Sequence, residues 1–416
     1  MNILYIDHYA GSPVLGMEYR PYYLARQWVR MGHRVRIVSA SYAHTRLRQP
    51  RMRGVIDRQG YDGIEYIFLR TPAYQGHGWR RVLNILAFVG QLYLRLRHVV
   101  RNFRPDIVIA SSAYPFDMGP AQLIARAAGA RLVYEVSELW PDSPMEIWGI
   151  KPTHPFMRLV RWGQRRACRA ADVVISPLPG AEAYLKDYGL APGKFTVIPN
   201  GIEPEEWEDP AQDGHGIDGL VQAVIDRFRA QGRMIVGYAG AHGETGALEV
   251  LVEAAAFLRD RKIAFICIGD GPYRAPLADF AEETNVADVF VFAGPLPKRQ
   301  VPRFLRQMDV LYMGARSLAV YKYGVSFHKI YDYMMAGKPI VMAVDTGNDM
   351  LADSACGICV PTGDPKDVAS ALVKLLEMDP QERNLKGLEA QTHVLLHNAY
   401  PVLARNFLEA VGNVAI

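Results

Sequence analysis

Three stretches of this 416-residue chain combine residue types and spacings that suit a phosphorylated ligand. In Tyr321-Lys322-Tyr323-Gly324-Val325-Ser326-Phe327-His328-Lys329-Ile330-Tyr331-Asp332, Ser326 is a natural helix N-cap. Lys329 and Asp332 then lie three residues apart on one helical face. A lysine beside the N–H groups of a helix start suits a diphosphate, and a carboxylate one turn on can accept two vicinal ribose hydroxyls. A local ion pair on a surface helix is the other reading. The second stretch, Gly237 to Gly246, places glycines at 237, 240, 243 and 246, after a strand pattern and before a helix over 248–258. Such spacing lets a ligand approach the backbone. His242 within it could reach a phosphate or be a solvated loop histidine. The third is Gly11-Ser12-Pro13-Val14-Leu15-Gly16, between an opening strand and a helix from about Glu18. It suits an anion or an ordinary turn, and it lacks the Gly-x-Gly-x-x-Gly dinucleotide fingerprint.

Around these loops, short apolar runs alternate with longer amphipathic stretches, the pattern of α/β units with parallel sheets. Strands are expected over residues 3–6, 35–39, 64–69, 107–110, 132–134, 173–175 and 196–198. A second set is expected over 235–240, 264–269, 289–293, 310–313, 339–343 and 357–360. Residues 203–219, acidic and rich in Gly and Pro, read as an interdomain linker or an excursion. Two doubly wound domains joined near residue 200 follow. Half the residues are hydrophobic and 22% are charged, which excludes disorder and leaves ample core.

The net charge of +4 hides an asymmetry: residues 1–200 carry +13 and the remainder −9. The first half therefore seeks an anionic partner. Residues 79–103 combine Trp79, Phe88, Tyr93 and Phe103 with Arg80, Arg81, Arg95, Arg97 and Arg101, which suits an interfacial helix on anionic lipid. Arg158, Arg161, Arg165 and Arg169 repeat at helical spacing as a second basic stripe, a solvated helix face or a lipid contact. Arg46, Arg48, Arg51 and Arg53 fall in a loop and could grip a phosphate. The four cysteines make no disulfide framework, no signal peptide is visible, and 82–94 is too short to span a bilayer. The chain thus reads as cytoplasmic. Cys356-Gly357-Ile358-Cys359 falls in a strand pattern and reads as buried core rather than a zinc or redox motif. No Asp-x-Asp occurs.

Met31-Gly32-His33-Arg34-Val35, Ile198-Pro199-Asn200-Gly201-Ile202, Ile268-Gly269-Asp270-Gly271-Pro272, Phe292-Ala293-Gly294-Pro295 and Lys329-Ile330-Tyr331-Asp332-Tyr333-Met334-Met335-Ala336-Gly337-Lys338-Pro339 resemble family 4 glycosyltransferases of the GT-B fold. They follow the family's order along nearly the whole chain. Gly16-Met17-Glu18-Tyr19-Arg20-Pro21 resembles the subgroup that builds O-antigen and capsule repeats. The resemblance implies two Rossmann-like domains facing across a cleft. The acceptor and membrane domain would be 1–200 plus 395–416, the donor domain 201–394. It implies retaining, metal-independent transfer of a sugar, an N-acetylated hexose, from a UDP-sugar to a lipid-linked glycan such as a polyprenyl-diphosphate carrier. The nucleotide-sugar is the only small-molecule partner expected, with no further cofactor and no nucleic acid, at the anionic inner face of the cell membrane.

Donor contacts fall on Gly240, His242, Gly243, Gly269, Gly271, Gly294, Pro295, Arg316, Lys322, Ser326, Lys329 and Asp332, and acceptor-side contacts on Gly11, Gly16, Glu18 and Arg20. Glu138 or Asp142 would orient the acceptor hydroxyl or take its proton, or would cap a helix. Two departures from the family matter. Its paired glutamates stand here as Gly324 and Asp332, so any contact at Gly324 must come from backbone N–H. Its basic pair in the glycine-rich turn stands here as Ala241 and Thr245. Diphosphate charge then falls to Lys322, Lys329 or Arg316. The competing readings are a UDP-sugar 2-epimerase of the same fold, and a non-enzymatic nucleic-acid-binding protein using the basic half.

Overall fold

The structure is a computed structural model that describes residues 1–76, 78–208, 216–352 and 356–412. The chain forms two compact units, Met1–Pro199 joined by the C-terminal segment from Tyr400, and Asn200–Ala399. In the first, β1 (Asn2–Ile6), β2 (Arg34–Ala40), β3 (Ile56–Tyr61), β4 (Ile64–Leu69), β5 (Ile107–Ala110), β6 (Arg131–Glu135), β7 (Val173–Ser176) and β8 (Phe195–Val197) make one sheet. Its order is β3-β4-β2-β1-β5-β6-β7-β8, parallel except for β3. In the second, β9 (Met234–Ala239), β10 (Ile263–Ile268), β11 (Phe290–Gly294), β12 (Val310–Gly314), β13 (Ile340–Ala343) and β14 (Gly357–Val360) are ordered β11-β10-β9-β12-β13-β14. All pair in parallel. Central strands covered on both faces must be apolar throughout, and Ile3–Ile6 and Ile263–Ile268 are buried at every position.

The strand missing from the sequence expectation is β3. It is an edge strand with alternating, half-exposed Ile56, Asp57, Arg58 and Gln59, so no apolar run marks it. It returns to β4 through Asp62-Gly63, both at positive φ (50° and 78°), the two-residue turn whose twist matches a hairpin. That dipeptide is the signal that would have revealed it.

The chain passes between units at Pro199–Asn200 rather than through 203–219. Trp207, in the 3₁₀ turn Pro204–Trp207, is buried in the second unit's core under the Arg306 guanidinium. Burial of that indole makes the segment part of the domain; its residues 209–215 lie outside the described ones. The return to the first unit comes at Tyr400, five residues beyond the expected 395, because the helix Pro380–His397 packs Ala390 and Val394 into the second core. The helix Tyr400–Gly412 then lies on the helix Arg20–Arg30. Trp28 Nε1 donates to the Ala404 carbonyl at 2.9 Å, and the Tyr23 and Tyr400 rings stack at 4.8 Å.

Arg20 is a correction to the acceptor-side set. It is buried, with Nε 2.9 Å from Glu135 Oε1, and donates to the carbonyls of Pro199 (2.6 Å) and Ile198 (2.8 Å). Glu135 also accepts from Ser111 Oγ at 2.6 Å and from the Tyr5 hydroxyl. The guanidinium is consumed by the fold. Glu135→Ala, which strands a buried cation, should lower unfolding free energy by about 3–5 kcal/mol. Arg20→Met with Glu135→Leu should recover most of that loss, as measured by urea denaturation.

Candidate functional sites

In a doubly wound sheet, ligands sit beyond the carboxyl ends of the strands where strand order reverses. In the second sheet that point is β9, flanked by β10 and β12. The turn after β9 holds Gly240, His242 and Gly243, the turn after β10 holds Gly269 and Gly271, and Gly294 and Pro295 end β11. The first two turns press together. A Cβ on Gly269 (φ 129°) would stand 1.9 Å from the Gly240 carbonyl oxygen, so this glycine admits neighbouring backbone. Gly243 faces open space, and Pro295 is exposed. His242 is fully buried, with the Tyr238 ring at 6.0 Å and Phe292 edge-on at 5.5 Å. Neither of its ring nitrogens has a partner within the protein. Burial, with Arg274 and Lys329 nearby, lowers its pKa to about 4.

The helix His328–Met335 carries Lys329 and Asp332, and Tyr333 on its far face fastens it to β9 by accepting the Ala239 N–H at 2.9 Å. Lys329 Nζ donates to the Tyr238 hydroxyl at 3.1 Å and lies 4.8 Å from that ring's centroid. Burial lowers its pKa to about 8. Asp332, one turn on, is raised to about 7 by burial, opposed by Lys298 and by a hydrogen bond from Trp207. The two side chains therefore address different surroundings and do not form the local ion pair that spacing also allowed. Tyr238 was not singled out from the sequence; only its place at the end of a strand, facing the glycine turn, could have marked it.

Four donor-side expectations change. Ser326 does not cap the helix: Phe327 occupies that position, and Ser326 Oγ accepts the Asn200 N–H (2.9 Å) and pairs with the Tyr331 hydroxyl (2.8 Å). The Gly324 N–H is taken by the Tyr321 carbonyl at 2.8 Å, so it is not offered to a sugar. Arg316 is ion-paired to Glu244 (2.5 Å) and Glu249 (3.6 Å), which neutralises the charge expected for a diphosphate. Lys322 is exposed, its ammonium 5.0 Å from the Tyr323 ring centroid.

In the first unit the loop Gly11–Gly16 closes on itself. Ser12 and Gly16 exchange backbone hydrogen bonds, and the Gly11 N–H donates to the Glu18 carbonyl at 2.7 Å. Its amides are thus turned inward, the ordinary-turn reading. Glu18 sits close enough to Glu138 that burial and this second carboxylate raise its pKa to about 7. Glu138 is exposed and accepts from Trp140 Nε1 at 2.9 Å. Asp142 begins the helix Asp142–Trp148 and engages Tyr184 instead, so the two catalytic candidates part company. Unforeseen were His8, buried at the end of β1 with Nδ1 2.5 Å from the Tyr114 hydroxyl, and buried Asp117, raised to about 7 by burial.

The basic segment 79–103 forms two helices, Trp79–Leu94 and Leu96–Val99. Phe88, Phe103 and Arg81 turn inward, whereas Trp79, Leu83, Leu86, Tyr93, Leu94, Arg80 and Arg97 are exposed. Arg46 is also buried, donating to the carbonyls of Ala10 and Ala40. Arg48, Arg51, Arg53 and Arg58 line a separate polar hollow of about 460 Å³. Cys356, just before β14, is buried, but Cys359 on β14 is exposed, because this is an edge strand. Among the described residues no cluster of His, Cys, Asp and Glu is placed to hold a metal, and no helix is long and apolar enough to cross a membrane.

Two Rossmann-like units, each built on a largely parallel sheet with its loops at the carboxyl edge, give the chain the GT-B fold. Residues 16–201 match the glycosyl transferase 4-like domain and 233–378 the glycosyl transferases group 1 domain, and the chain belongs to this glycosyltransferase family. The 2-deoxystreptamine glucosyltransferase of Streptomyces kanamyceticus is 30% identical over 166 residues, 38% of this chain and 40% of that one. A protein of Escherichia coli named for colanic acid biosynthesis glycosyl transfer, WcaI, is 23% identical over 267 residues, 63% of this chain and 64% of its own length. The chain thus matches less than two thirds of the length of either of these two relatives. Anabaena HepE in complex with UDP shares the fold with a TM-score of 0.66 at 14% identity, covering 99% of this chain and all of that one.

The surroundings of His242 imply that it stays neutral throughout pH 5–8 in the unliganded protein. An NMR titration of its ring Cε1–H should show a midpoint near 4; a midpoint near the ordinary 6.5 would contradict the buried geometry.

Proposed function

We propose that the chain moves a sugar, an N-acetylated hexose, with retention of configuration from a UDP-sugar to a lipid-linked glycan, without a metal ion. The observation that carries the donor half is the helix His328–Met335 at the switch point, with Lys329 and Asp332 one turn apart. In this reading Asp332 accepts the ribose hydroxyls and Lys329 binds the diphosphate. As the bond from the anomeric carbon to the diphosphate oxygen breaks, negative charge grows on the leaving group. The Lys329 ammonium and the helix start meet that charge, in a site where low dielectric strengthens the interaction. The acceptor oxygen bonds to the same face of the sugar, and its proton passes to the departing diphosphate or to Glu138. The relatives' names and a fold neighbour's bound UDP support this reading.

The first unit supports an anionic, lipidic acceptor. Its charge of +13, and exposed Trp79, Leu83, Leu86 and Leu94 beside Arg80 and Arg97, suit a peripheral seat on the inner face of the cell membrane.

Two measurements test the assignment. Asp332→Ala should weaken UDP binding by about 1.5–3 kcal/mol in calorimetry, the scale for hydrogen bonds to a charged group. The pH dependence has a worked sign. Raising pH through about 7 ionises Asp332 and gains the ribose acceptor, whereas raising it through about 8 discharges Lys329 and loses the phosphate contact. UDP affinity should therefore peak between these values; Asp332→Asn should remove the acid limb and Lys329→Arg the alkaline one. A flat profile would refute both roles. For the acceptor side, Glu138→Gln should lower kcat by about 10²–10⁴-fold while leaving UDP affinity unchanged. Equal loss of UDP binding would move Glu138 out of this role.

A further inference from the structure

We propose that a groove in the first unit, between the helix Trp79–Leu94 and residues 148–157, seats the hydrocarbon chain of a lipid phosphate, with the phosphate at the Arg81 end. This rests on the lipid-linked acceptor proposed above and gives that acceptor a place on the protein. The groove has a volume of about 940 Å³, within the range of small-ligand sites. Its walls are hydrocarbon and aromatic: Leu83, Leu86, Trp148, Ile150 and Phe156. Leu83 and Leu86 stay 47% and 49% exposed, an apolar face that none of the described residues covers fully.

Charge decides the kind of occupant. Arg81, Lys151 and His154 line the groove, and no carboxylate does among the described residues. An apolar trough with only basic groups fits an anion that carries a long apolar body. It does not fit a neutral glycan, and a second copy of this unit would bring +13 against +13.

The orientation follows from the inner end. Arg81 is only 8% exposed, with its guanidinium 4.8 Å from the Trp148 ring centroid and 5.7 Å from that of Tyr9. Beside it in the lining is Trp140, whose indole N–H is held by the Glu138 carboxylate. A phosphate at Arg81 would place the first sugar beyond it toward Glu138 and Glu18, with the chain running out past Leu83 and Leu86.

The test uses the full chain and the intrinsic fluorescence of the groove tryptophans Trp79, Trp140 and Trp148, with farnesyl diphosphate as probe. Wild type should bind farnesyl diphosphate saturably and at least about tenfold more tightly than farnesol or inorganic diphosphate, since both halves are needed. Leu83→Glu and Leu86→Glu, surface changes that leave the core intact, should each weaken it about tenfold with UDP affinity unchanged. Arg81→Gln should reduce the preference for farnesyl diphosphate over farnesol. The proposal is overturned if inorganic diphosphate binds as well as farnesyl diphosphate, or if both Glu variants bind like wild type. It is likewise overturned if wild type binds anionic vesicles yet shows no saturable farnesyl diphosphate site. Intact UDP binding in any of these cases would leave the donor reading standing, whereas absent UDP binding would remove that reading independently.

Discussion

The first unit depends on one buried ion pair, Arg20 with Glu135. Glu135 ends β6 and takes hydrogen bonds from Ser111, just beyond β5, and Tyr5 of β1, so one carboxylate gathers the ends of three adjacent strands. Arg20 brings the first turn of its helix to the same point and holds the Ile198 and Pro199 carbonyls where the chain leaves the unit. Desolvating two charges is costly, and excellent geometry with every remaining donor occupied is what makes such a pair tolerable. Its consequence is positional: His8, Glu18 and Glu138 all sit on the edge that this pair organises.

The second unit organises its edge differently, through close backbone contact and burial. The glycine turns after β9 and β10 touch, and Tyr333 and Tyr238 attach the helix His328–Met335 to β9. Burial is the leading cause of every shift in this site. It holds His242 neutral, draws Lys329 down to about 8 and raises Asp332 to about 7. Each of these groups is kept short of its solvated stabilisation. A ligand that supplies a compensating charge or hydrogen bond recovers that energy, and binding and recognition are thereby coupled.

The departures from the family's sequence pattern form a consistent set. Ala241 and Thr245 stand where a basic pair is usual, and Arg316, one of the three cations expected to replace it, is neutralised by Glu244 and Glu249. Gly324 offers neither a carboxylate nor an available N–H. Of the three cations expected to meet a diphosphate, Lys329 is the one whose ammonium is desolvated, and in the proposed reading the phosphate contact falls to the helix that also carries Asp332.

The sequence by itself determined what local pattern can encode. Thirteen of the strands, the position of the helix with Lys329 and Asp332, and the glycine turn after β9 follow from apolar runs, helical spacing and turn residues within a few positions of each other. The β3 hairpin was equally local, in Asp62-Gly63, but its polar alternation hid it. Tertiary structure alone decided where the charged and polar side chains point. Arg20 and Arg46 look like ligand-facing cations in sequence, yet backbone carbonyls and a carboxylate 115 residues away consume Arg20. Ser326 carries the chemistry of a cap, but Asn200 claims its hydroxyl, and Glu18 becomes a partner of Glu138 only through folding. The physical reason is that hydrophobic periodicity is a property of one segment. A charge's role is set by partners and burial, which belong to segments far apart in the chain.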